Sequence, residues 1–146
     1  MTESSAVYPP QATAVSIQVR FGDMDAYGHV NNVSTLRLIE EARCRLLLDQ
    51  LGWTDLRVLV ARQEIEYRAM LHYSTADPKV WIWASRVGGS SFELSYAIEN
   101  PDGQVTAVAA TTIVVIDENS RPAPIPDEAR AKLDKLSGPP VPFRGR

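Results

Sequence analysis

Several residue types and patterns are scarce in this chain, and each scarcity removes a class of protein. There is a single cysteine, Cys44, so no intramolecular disulfide can form. The opening MTESSAVYPPQATA has neither a basic start nor an apolar block of signal-peptide length, and the two features together lead us to expect a cytoplasmic, reduced protein. Only two histidines occur, His29 and His72, which with one cysteine makes a zinc cluster a poor expectation; no metal and no organic cofactor is implied. Long apolar runs are also missing. The longest, Val105 to Ile116, is interrupted by Thr106, Thr111 and Thr112 and is too short to span a bilayer, so it reads as a buried strand and no membrane partner is expected. Positive charge is not in excess: the net charge is -3, and no run of like charges could track a phosphate backbone, so nucleic acid is not expected as a partner.

What remains is an ordinary globular composition. The 146 residues are 45% hydrophobic and 23% charged, enough for one domain with one core. Residues 1–13, with Pro9 and Pro10, read as a flexible arm. The segment VSIQVRF then alternates, with Val15, Ile17, Val19 and Phe21 on one face, which predicts a half-buried strand. Further on, VSTLRLIEEARCRLLLDQLGW places Leu36, Ile39, Ala42, Leu46 and Leu47 at helical spacing, while Arg37, Glu41 and Arg45 form a row of alternating sign. Asn31 or Asn32 can cap this helix and Gly52 can end it, giving about 20 residues. Leu38 and Leu48 widen its dry arc, so it is expected to be covered on most sides.

Four alternating segments follow: ARQEIEYRAML, KVWIWASRV, SSFELSYAIEN and QVTAVAATTIVVID. Gly88-Gly89 and Pro101-Asp102-Gly103 supply hairpin turns between the last three, predicting an antiparallel meander. Pro126 suits the start of a short helix carrying Ala129, Leu133 and Leu136, and residues 137–146 read as a flexible tail. The sum is an α+β domain over residues 14–136, with about five antiparallel strands against one long helix.

The chemistry is concentrated in FGDMDAYGHVNN, residues 21–32, which runs from a strand end into a helix start. A helix N-terminus presents unpaired N–H groups and partial positive charge, suited to an oxyanion or a polarised carbonyl. A carboxylate looped back beside it makes a minimal acyl-transfer site, and Asp25 lies seven residues before Asn32. The same residues equally suit a purely structural turn and cap, with Asp23 tying the loop and Gly28 turning it. Glu40 and Glu41 read as ion-pair partners of nearby arginines, Trp81 and Trp83 as packing on one strand face, and Arg62, Arg68, Lys79 and Arg86 as solvated charges.

The stretch VRFGDMDAYGHVNNVSTLRLIEEAR, with its D-x-D-x-x-G-H-V-N-N core and E-x-x-R from Glu40 to Arg43, resembles the signature of the hotdog-fold acyl-CoA thioesterases, the 4-hydroxybenzoyl-CoA thioesterase-like superfamily. The similarity extends over residues 14–136. It implies a curved antiparallel sheet wrapped around one long central helix, subunits joined sheet edge to sheet edge as a homodimer or homotetramer, and hydrolysis of an acyl-CoA substrate to free acid and coenzyme A. It assigns the catalytic carboxylate to Asp25 and the oxyanion-binding backbone N–H to Asn32, with His29 and Asn31 shaping the loop or orienting water and thioester. The chain departs from the pattern at Thr35, where many relatives carry tyrosine, at Met70, where they carry proline, and at Ser74-Thr75 in place of Gly-Asp. A hotdog enoyl-CoA hydratase or dehydratase, and a non-catalytic acyl-thioester binding module, are the competing readings.

Overall fold

In the computed structural model, which describes residues 7–55 and 57–144, a five-stranded antiparallel sheet curls around one long helix. The elements are β1 (Thr13–Ser16), α1 (Asn32–Arg45), β2 (Val58–Tyr67), β3 (Lys79–Val87), β4 (Ser91–Glu99), β5 (Val105–Val115) and α2 (Asp127–Asp134), and the strand order is β1-β3-β4-β5-β2. The hotdog fold is therefore as expected, including the antiparallel meander β3-β4-β5. No described helix is long and apolar enough to cross a membrane.

Alternation decides which side chains enter the core. Ile82, Leu94, Tyr96, Ile98 and Ile113 line the concave face and meet Leu38, Ile39 and Ala42 of α1 and Leu46 just after it, all essentially closed to solvent. After Arg45 the helix widens into one π turn, Leu46–Gln50, and Gly52, at φ +69°, ends it in a left-handed conformation that side-chain-bearing residues rarely adopt. Leu48 is 52% exposed, so the dry arc is narrower than its leucines suggest. The opposite edge of the helix carries the expected ion-pair row, Arg37–Glu41–Arg45.

Two strands differ from their sequence patterns for reasons of pairing. β1 ends at Ser16, opposite Lys79, because its partner β3 begins there; Ile17 and Val19 continue inward without a strand partner, and Phe21 swings out to 78% exposure. β2 starts three residues earlier than the alternation from Ala61 suggests, and a register shift between Val60 and Arg62 interrupts its ladder with β5. It also stops at Tyr67, where the N–H groups of Arg68 and Ala69 both turn to the Thr106 carbonyl.

The outer face of the sheet is not left to solvent. Trp83, Ala97 and Val108 form a second apolar cluster that is covered by the chain's own ends. Tyr8 stacks on Trp81 with ring centroids 4.2 Å apart, and residues 137–144, expected as part of a loose tail, run along this face with Val141 buried. Trp83 donates its indole N–H to Pro139 O at 2.7 Å, and Ser137 bridges in parallel to Ala84. Gly138 is required there: a Cβ would stand 2.9 Å from Trp83 and 2.6 Å from Pro9. The remaining tail residues, 145–146, and arm residues 1–6 lie outside the described residues.

Candidate active site

The polar dozen folds into two small, linked pieces before α1 begins. In the first, residues Phe21–Asp23 make one 3-10 turn, and Asp23 is 1% exposed. Its carboxylate accepts hydrogen bonds from the Arg20 backbone N–H at 2.8 Å and guanidinium at 3.0 Å, and from Arg37 at 2.6 and 3.1 Å. Burial by itself raises the pKa of such a group, but these donors outweigh it, and Asp23 is held well below the usual carboxylate range. Both oxygens are engaged in tying the loop to α1, in keeping with the structural reading of Asp23.

In the second piece, Met24 to Val30 form a tight hairpin: the Asp25 N–H donates to His29 O at 2.7 Å, and Met24 bridges Val30. Gly28 takes φ +79° at its tip, which explains the glycine. Oδ1 of Asp25 accepts from the backbone N–H groups of Tyr27 at 2.8 Å and His29 at 3.1 Å. The Tyr27 bond leads in lowering the Asp25 pKa, against partial desolvation and with help from His29, so the carboxylate is ionised at neutral pH. Among the described residues Oδ2 accepts no hydrogen bond.

The seam between these pieces and the helix is Asn31. Its N–H donates to Asp23 O at 2.8 Å, and its side chain caps α1 by accepting from Val33 N–H at 2.8 Å. Asn31, not Asn32, is thus the cap, and it does not line the neighbouring cleft. Asn32 is the first helical residue, and its N–H has no acceptor among the described residues, as befits the first turn. Its carbonyl receives the Tyr67 hydroxyl at 2.8 Å.

A cleft of about 360 Å³ brings Asp25, His29 and Asn32 together with Thr35, Tyr67 and Met70. Behind it, Val30 N–H donates to Leu71 O at 2.7 Å, and the rings of His29 and His72, the chain's two histidines, meet edge to face at 4.9 Å. Tyr67 and His72 were not singled out by sequence, since each reaches the site only through the fold. A second cleft of equal volume lies on the outer face among Arg62, Glu64, Glu93 and Thr112 under the tail, and it contains none of the signature residues. Among the described residues no group of three His, Cys, Asp or Glu side chains could hold a metal ion.

The first cleft thus pairs an ionised carboxylate, one oxygen of which accepts from no other described residue, with a backbone N–H at a helix start. Such a pair has the chemistry to serve as nucleophile or base beside an oxyanion donor. Comparison with known proteins gives the family. Residues 19–133 match the family profile of the thioesterase-like superfamily. The chain is 33% identical over 127 residues to the long-chain acyl-CoA thioesterase FadM of Escherichia coli K12, covering 82% of this chain and 96% of that protein. Among solved structures, a predicted thioesterase from Bacillus stearothermophilus superposes with TM-score 0.78 at 27% identity, covering 88% of this chain and 98% of that one. A thioesterase from Thermus thermophilus, complexed with coenzyme A and Zn, gives TM-score 0.73 at 29% identity, covering 86% and 94%.

Proposed function

The chain belongs to the thioesterase-like superfamily and is an acyl-CoA thioesterase, and we propose that Asp25 supplies its reacting carboxylate while the Asn32 backbone N–H holds the oxyanion. The observation that carries this assignment is the shared cleft: its lining includes both Asp25, whose Oδ2 accepts from no other described residue, and Asn32, whose N–H has no acceptor among the described residues. The thioester carbonyl oxygen accepts the Asn32 N–H, which stabilises the negative charge that develops there. Either Asp25 Oδ2 attacks the carbonyl carbon, expelling the coenzyme A thiolate to leave a mixed anhydride that water then cleaves, or Asp25 takes a proton from a water that attacks directly. Both routes end in free carboxylic acid and thiol. His29, which closes the Asp25 turn through its own N–H, orients water or thioester, and Asn31 fixes the helix start.

The working unit is a homodimer, or a homotetramer built from it, assembled through β2. That strand is the outer edge of the sheet, and its first residues Val58, Leu59 and Val60 are 36%, 53% and 38% exposed. An unpaired apolar edge favours strand pairing with a second copy. The protein works in the cytoplasm, without metal or organic cofactor. Release of thiol across a series of acyl-CoA lengths, run beside enoyl-CoA hydration, tests the reaction; hydration without thiol release would overturn it. Light scattering tests assembly, and a fully active monomer at micromolar concentration would overturn the dimer. Turnover unaffected by chelators is the expected result for the cofactor-free reading.

A further inference from the structure

Tyr67, the last residue of β2, and Arg68 just after it face opposite ways. Arg68 sends its guanidinium to Glu66 at 2.6 Å and to Pro142 O of the tail at 2.7 Å, on the outer side. Tyr67 points inward, lines the cleft, and donates its hydroxyl to Asn32 O at 2.8 Å. This bond ties the sheet to the first turn of α1. The fold itself does not need it. Tyr67 is 41% exposed, the Asn32 carbonyl can still accept an N–H within the helix, and the loop is held independently by Val30 N–H on Leu71 O and by the Asn31 cap.

What the bond restrains is the residue whose N–H has no acceptor among the described residues. First-turn N–H groups lack intrahelical acceptors, and helix ends fray, so an oxyanion donor placed there keeps its aim only if something outside the helix holds it. Donors fixed before charge develops stabilise the transition state more than donors that must reorganise. We infer that Tyr67 is a positioning residue: its hydroxyl clamps Asn32 to the sheet so that the Asn32 N–H stays aimed at the thioester oxygen. The inference rests on the assignment of Asp25 and Asn32 made above.

The test is Tyr67→Phe in the full chain, which keeps the ring and removes the hydroxyl. With the acyl-CoA that is turned over fastest in the length screen, kcat should fall about tenfold while KM stays within about twofold, the signature of an interaction felt mainly in the transition state. Amide hydrogen exchange in a peptide covering residues 30–36 should quicken, with the thermal midpoint unchanged. A kcat within about twofold of the parent, unchanged exchange, or a variant that unfolds would each overturn the inference, the last by making the hydroxyl structural. Asp25→Asn, assayed in parallel, separates the two levels. If it abolishes turnover while Tyr67→Phe is normal, only the role of Tyr67 falls; if it retains turnover, the site assignment falls and the inference with it.

Discussion

Asp23 and Asp25 share a loop, a side-chain type and a depressed pKa, yet they are held ionised by different partners. Asp23 is surrounded by the guanidinium groups of Arg20 and Arg37, which occupy both oxygens and bridge the segment after β1 to the helix. Asp25 is held by two peptide N–H groups on one oxygen, at the rim of a cleft. The difference teaches that a low pKa does not identify a reacting carboxylate. What sets the carboxylate proposed to react apart from its neighbour is an oxygen left over after the turn has been satisfied.

The comparison can be broken most severely at Asp25. Asp25→Asn preserves the turn-forming oxygen, so the protein should fold with its melting temperature nearly unchanged while turnover falls about 1000-fold or more, read by thiol release. Near-normal turnover would move Asp25 to the structural side of the comparison. Asp23→Asn should do the reverse: it leaves two arginines around a neutral group in a buried place and should cost about 3 kcal/mol of stability by chemical denaturation, with only a modest loss of turnover. Loss of all activity in a folded Asp23→Asn protein would reverse the two roles.

Acid sharpens the contrast. Because the folded-state pKa of Asp23 lies below its unfolded value near 4, its ion pairs stabilise fully above that pH and their contribution fades as pH falls towards the folded pKa. Denaturation midpoints of the parent and Asp23→Asn should therefore differ most near pH 6, and the gap should narrow steadily as pH falls below 4. The smallest effect is expected at the seam: Asn31→Ala removes the cap and should cost about 1 kcal/mol, whereas Asn31→Asp, which keeps an acceptor for Val33 N–H, should restore most of it.

Much of this was legible in the chain itself, in places where a pattern is local. β3 was read to its observed ends, β4 and β5 were read with an extra residue or two at each end, and the hairpin turns between them follow from Gly88-Gly89 and Pro101-Asp102-Gly103. The helix, its Arg37–Glu41–Arg45 row and its cap were legible for the same reason. The start of β2 was not, because Val58, Leu59 and Val60 form an exposed edge that does not alternate. Nor was the packing of residues 137–144, since GPPVPF carries no period and its place is set by Trp83 and Gly138. At the site, Asp25, His29 and Asn32 stand in one motif, but Tyr67 and His72 join them only across the sheet and could not be reached by spacing.

The covering of the outer sheet face sets an order for the chain's own birth. Synthesis runs from the N-terminus, so α1 and the strands leave the ribosome while Trp83, Ala97 and Val108 still lack Val141 and Phe143, their last neighbours. Tyr8 can shelter Trp81 as soon as β3 is made, but Pro139 reaches the Trp83 indole only after more than fifty further residues have been added. Until then a nascent chain whose loop and helix are already made keeps Trp83 without its last cover.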